Sequence, residues 1–294
     1  MRTFSTCLAP ALIGACALLS ACGTPPHAPA SSAAPKGEVK GTAWAHTPQS
    51  LQALVQNAAV VLPAQATGAG IYAGQWANAP RSAKTRVPVV LFLHGSSGLG
   101  LKAIGQWQHW LATQGIASVA PDSFALPGRI TYKSPIDKAS YERLHALRAS
   151  EIAPTLAAIQ AAPWADTSRL VLAGTSEGAV PVARYSGQAF AARMVFAWSC
   201  EPNYFVADPR NAFPPEQPVL NVISGADPYF SSANAWLDNP QARGSCAEAL
   251  KSSPQSIVAV IPGAPHTLLN LPRVQEITAG FLNGVLRRDN APAN

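Results

Sequence analysis

From about residue 50 the chain alternates short apolar runs with amphipathic segments. Residues 87–93, VPVVLFL, are apolar throughout and of strand length, the pattern of a strand buried on both faces. Pro88 stands near its start, where a missing N–H is tolerated. The same reading places strands over 59–63, 116–120, 169–173, 194–198, 218–224 and 256–261, and an edge hairpin over 68–76. Helical spacing occupies 101–114, where Gly115 stops it. A longer helical stretch covers 136–162, with Leu144, Leu147, Ile152, Leu156 and Ile159 on one face; Pro154 inside it should kink or split it. An amphipathic helix over 273–288 follows the last strand. Strands alternating with helices predict an α/β fold, a mostly parallel sheet covered on both faces.

The first residues break this pattern. One arginine precedes an apolar stretch over 8–19, and small residues lead to Cys22. This is the layout of an export signal, too short for a membrane-spanning helix. Leu19-Ser20-Ala21-Cys22 resembles the lipobox of bacterial lipoproteins. That resemblance implies cleavage after residue 21, a lipid on Cys22, and a membrane partner reached through that lipid. Gly23 follows where an aspartate tends to retain such proteins at the inner membrane, so the outer membrane is favoured. Residues 22–45, rich in Pro, Ala, Ser and Gly, read as a flexible tether. A single domain over 46–294 is then expected.

Composition narrows the partners. The chain has 294 residues, 12% charged, with a net charge of +6 and no Lys/Arg run, so nucleic acid is not expected as a partner. Beyond the signal and Cys22, the cysteines are Cys200 and Cys246, an even pair in an exported chain, which suggests a disulfide.

The chemistry gathers at strand ends. Gly174-Thr175-Ser176-Glu177-Gly178 joins the strand over 169–173 to a helix start, the context a nucleophile elbow requires. Ser176 on such a turn needs a base, an acid and an oxyanion site. Of six histidines, His266 lies in a loop after the last strand, where a base can lean back over the elbow. His27 and His46 fall in or beside the tether, and His109 and His145 on helices. Asp227, directly after 218–224, is the preferred acid; Asp122 competes but suits a turn-bonding role. The backbone N–H groups of Glu177 and Ser96, the latter in the turn His94-Gly95-Ser96-Ser97-Gly98, are the expected oxyanion donors. The Glu177 side chain leaves two readings open, a solvated or salt-bridged carboxylate and an acidic wall against anionic substrates. Residues 123–135 and 199–217, with Trp198, Tyr204, Phe205, Tyr229 and Phe230, are the candidate pocket walls.

The stretches VVLFLHGSSGLG, VAPDSFALPGR, DTSRLVLAGTSEGA, PVLNVISGADPYF and IPGAPHTLLNLP, in this order, resemble the α/β-hydrolase superfamily, and within it the dienelactone-hydrolase-like branch. The resemblance implies a mostly parallel eight-stranded sheet flanked by helices, with no metal or organic cofactor. It implies a nucleophile at Ser176, an acid at Asp227 and a base at His266. Dienelactone hydrolases proper carry cysteine at the nucleophile, so the serine here points to a small-molecule ester as substrate rather than dienelactone.

Overall fold

The structure is a computed structural model and describes residues 34–286. Its strands are β1 (Glu38–Lys40), β2 (Ala59–Leu62), β3 (Tyr72–Gln75), β4 (Val87–Leu93), β5 (Ala117–Ala120), β6 (Thr131–Lys133), β7 (Ala165–Thr175), β8 (Ala192–Phe196), β9 (Val219–Ser224) and β10 (Ile257–Ile261). Its helices are α1 (Pro48–Gln56), α2 (Ala64–Thr67), α3 (Lys102–Thr113), α4 (Lys138–Ser150), α5 (Ile152–Ala161), α6 (Ala179–Arg184) and α7 (Pro272–Leu286).

Eight strands form one sheet in the order β10-β9-β8-β7-β4-β5-β2-β3. Neighbours from β10 to β5 run parallel, whereas β2 is antiparallel to both β5 and β3. The alternation of side chains along β4 explains its unbroken apolar run. Val89, Leu91 and Leu93 join a core with Leu54 of α1, Leu144 and Leu147 of α4 and Val182 of α6. Val90 and Phe92 join the opposite core with Trp107 of α3 and Phe281 of α7. There Trp107 lies between the rings of Phe92 and Phe196, at 4.8 and 5.8 Å. A strand with a helical layer on each face has no polar side to show. The doubly covered, mostly parallel sheet is therefore as expected from the sequence.

The helical stretch over 136–162 is split rather than bent. It ends as α4 at Ser150 and restarts as α5 at Ile152, so Pro154 falls in the first turn of the new helix, where its missing N–H costs no bond. Asp137 caps α4, its side chain accepting from the Ser140 N–H at 2.8 Å.

Two expectations need correction at the N-terminal side. Of the 22–45 tether, residues 22–33 lie outside the described residues, as do Cys22 and the 1–21 signal. The rest is folded onto the body. Glu38–Lys40 pairs antiparallel with Thr131–Lys133, Val39 lying opposite Tyr132. The Thr42 and Ala43 N–H groups both donate to Gly128 O at 2.9 Å, and Ile130 N–H donates to Ala43 O at 3.2 Å. Backbone pairing needs no apolar side chains, so composition did not announce this strap. His46, placed beside the tether by sequence, is instead packed inside, its Nε2 3.3 Å from Glu151 Oε1.

A disulfide joins Cys200 to Cys246. It closes a loop that contains Tyr204, Phe205, Asp227, Tyr229 and Phe230.

Candidate active site

The elbow is built as the sequence predicts. β7 ends at Thr175, a 3-10 turn takes Ser176–Gly178, and α6 follows at once. Ser176 has φ +54°, the left-handed region that L-residues seldom occupy. Such strain, held by the surrounding structure, gathers at reactive positions. Gly178 is required by proximity, because a Cβ there would collide with the carbonyl oxygens of Leu93 and His94. The turn after β4 therefore lies directly against the elbow. A Cβ on Gly95 would sit 3.4 Å from Ser176 Cβ.

The expected acid and base, Asp227 and His266, lie in the loops after β9 and β10. Asp227, fully buried after β9, accepts through Oδ1 from the N–H groups of Tyr229 and Phe230, at 2.9 and 3.0 Å. Its Oδ2 accepts from His266 Nδ1 at 2.7 Å. Nδ1 thus carries the proton, and Nε2 of the neutral ring is left as an acceptor. Ser224 Oγ donates to Ala264 O at 2.5 Å, tying the histidine loop back to β9. The Tyr229 ring stands edge-on to the imidazole at 4.7 Å.

Ser176 and His266 line one cavity of about 350 Å³, together with Ser96, Ser97, Tyr132, Ser134, Tyr204, Phe205, Tyr229 and Phe230. That volume suits a small organic ligand. No Asp, Glu, Lys or Arg is among the lining residues. Both expected wall segments contribute. Trp198 does not line the cavity; it is buried behind Phe230, edge-on at 5.0 Å. Asp122 is spent locally, accepting from the Phe124 N–H at 3.0 Å.

Glu177 forms no acidic wall. Its side chain is fully buried beneath the elbow, where Arg129 Nη2 donates to Oε1 at 2.6 Å and Arg148 Nη1 at 3.1 Å. Burial alone would raise this carboxyl; the two guanidinium groups outweigh it and hold the group below its ordinary range. The cluster extends outward. Arg148 Nε is 3.1 Å from Glu151 Oε2, and Ser123 Oγ donates to Glu151 Oε1 at 2.5 Å while accepting from Arg129 Nε at 2.7 Å. His94, buried at the end of β4, accepts at Nε2 from the Ser123 N–H and donates from Nδ1 to Gly95 O at 2.7 Å. Burial, with the nearby Arg148 charge, keeps this imidazole neutral by pushing its pKa well below the usual value. Sequence reasoning missed Arg129, Arg148 and Glu151. A signal existed, since Arg148 and Glu151 fall on the α4 stripe set by Leu144, at spacings of four and seven residues.

No protein-family model matches the chain, and a search of curated proteins finds no match. Solved structures do match. A dienelactone hydrolase-like promiscuous phosphotriesterase from metagenomic libraries superposes with a TM-score of 0.50 at 17% identity, covering 69% of this chain and 88% of that one. The esterase PE8 gives a TM-score of 0.48 at 17% identity, covering 71% of this chain and 97% of that one. At such identities the likeness is one of fold, and the protein has the α/β-hydrolase fold.

Proposed function

We propose that the protein is a serine hydrolase of carboxylic esters. The observation that carries this reading is the buried Asp227–His266 pair opening into the cavity that also holds Ser176 at its left-handed turn. In the proposed reaction His266 Nε2 takes the Ser176 proton as Oγ attacks the acyl carbon. Asp227 fixes the tautomer and stabilises the imidazolium. The N–H groups of Ser96 and Glu177 bind the oxyanion, and loss of one such donor costs about 3 kcal/mol of transition-state stabilisation. His266 then protonates the leaving alcohol, and water clears the acyl-enzyme by the reverse route. A cavity wall of aromatic rings and hydroxyls without a charged side chain favours a neutral acyl group.

The same triad cleaves amides, so a peptidase or amidase is one alternative; the other is a catalytically silent envelope protein that uses the same fold as a binding module. Fluorophosphonate labelling followed by peptide mass spectrometry separates an active hydrolase from the silent protein, and turnover of matched ester and amide substrates separates the esterase from the amidase. We expect one adduct, on Ser176, absent from His266→Ala. Ser176→Ala should abolish ester turnover with the fold intact, and turnover retained in that variant would remove the proposal.

The N-terminal pattern supports export and attachment to the bacterial envelope through a lipid on Cys22, facing the periplasm, with the outer membrane favoured. Among the described residues no helix is long and apolar enough to cross a membrane. Intact mass of the protein from membranes tests the anchor. A diacylglycerol-bearing N-terminal Cys22, lost in Cys22→Ser, is expected; an unmodified chain starting elsewhere would refute it.

A further inference from the structure

A carboxylate one residue from the nucleophile is an electrostatic hazard. If the Glu177 N–H binds the oxyanion, its own side chain places a second negative charge nearby. In a site shielded from water such repulsion is weakly screened. The structure answers with a guanidinium held on every side. Arg129 gives Nη2 to Glu177 at 2.6 Å, Nε to Ser123 Oγ at 2.7 Å and Nη1 to Ile130 O at 2.8 Å. Its flat face lies over the Phe124 ring, 4.4 Å from the centroid. The backbone on either side of Arg129 is pinned by the 42–43 segment. Arg148, the other cation on Glu177, is shared with Glu151. The four charges of the cluster sum to zero only while Arg129 is present.

We propose that Arg129 is a positioning residue for hydrolysis: it holds and neutralises the Glu177 carboxylate, and so keeps net negative charge away from the oxyanion and from His266. This inference rests on the serine-hydrolase reading. The groups facing His266 are Asp227 at Nδ1, the rings of Tyr229 and Phe230, and, across the cavity, the hydroxyls of Ser176, Tyr132 and Tyr204. Those facing Glu177 are Arg129, Arg148 and the Tyr132 phenol, with Glu151, His46 and His94 beyond them. Among these, Asp227 is common to every variant below, so a change in the Arg129–Glu177 pair is the only charge altered.

The test is the acid limb of the kcat/KM profile on a neutral ester, measured for Glu177→Gln, Arg129→Met and the double variant. Net negative charge stabilises the imidazolium, so Arg129→Met should move the limb to higher pH and lower kcat at least ~10-fold with KM little changed. Glu177→Gln leaves net positive charge, so its limb should move to lower pH by about half a unit, opposite to Arg129→Met. The double variant should return the limb to the wild-type position. A merely structural pair would lower activity without opposite displacements. If Arg129→Met does not fold, Glu177→Gln against the double variant carries the same comparison. An unmoved limb in Glu177→Gln overturns the proposal. Wild type that takes no fluorophosphonate label overturns the hydrolase reading instead, so the two failures are distinct.

Discussion

Ser176, Asp227 and His266 are separated by 51 and 39 residues in the chain, yet each stands at the C-terminal end of a parallel strand or in the loop beyond it. Asn in place of Asp227 would keep the shape and lose the charge that fixes the His266 tautomer; kcat should fall by roughly 10⁴-fold with the melting temperature nearly unchanged. Gly178→Ala acts through the backbone, pushing a methyl into the Leu93 and His94 carbonyls. We expect a loss of about 2 kcal/mol in denaturant unfolding and weaker labelling of Ser176. His145 gives a pH prediction. Burial lowers its pKa to about 4, and Nε2 donates to Phe205 O at 2.9 Å. The unfolded chain takes up that proton near pH 6.5 and the folded one resists it, so stability is full above pH 6.5 and falls as pH drops toward 4. Melting temperatures at pH 7 and 4.5 should differ less in His145→Gln than in wild type.

At the scale of elements, legibility followed periodicity. β4, fully apolar, and the stripe through α4 were plain because burial repeats with the element's own period. The elbow was plain because a strand, a glycine-flanked serine and a helix start adjoin in sequence. β1 and β6 were not. Each is three residues long, and Glu38, Lys40 and Lys133 are charged, so neither carries an apolar signature. The Arg129–Glu177 pair was equally hidden, being 48 residues apart with no pattern linking the two; Glu177 alone left its partner open. The loop closed by Cys200–Cys246 is the element that carries both Asp227, the proposed acid, and most of the aromatic wall. Replacing both cysteines by alanine should cost about 2–4 kcal/mol by chain entropy and raise KM through the loosened Tyr204 and Phe205. Unfolding curves and steady-state kinetics on one preparation check both parts.

At the scale of the whole molecule, the sheet supplies the frame and the site is assembled along one edge of it from segments distant in sequence. The N-terminal strap belongs to that assembly. It pairs with the strand that bears Tyr132 and bounds the turn that bears Arg129. A chain beginning at residue 46 should therefore keep its far-ultraviolet dichroism but lose most of its turnover, whereas one beginning at residue 34 should match the longer protein. Equal activity in the two would show the strap to be dispensable.

The strap also fixes where mechanical load enters. Tension applied at residue 34 reaches β1 first, and β1 is held to the body chiefly through β6 and the 128–130 turn. The first rupture in a pulling experiment would then strip one wall of the cavity while the eight-stranded sheet stayed whole. A small early extension, followed by a separate unfolding event at higher force, is the expected trace, with ester turnover lost at the first step.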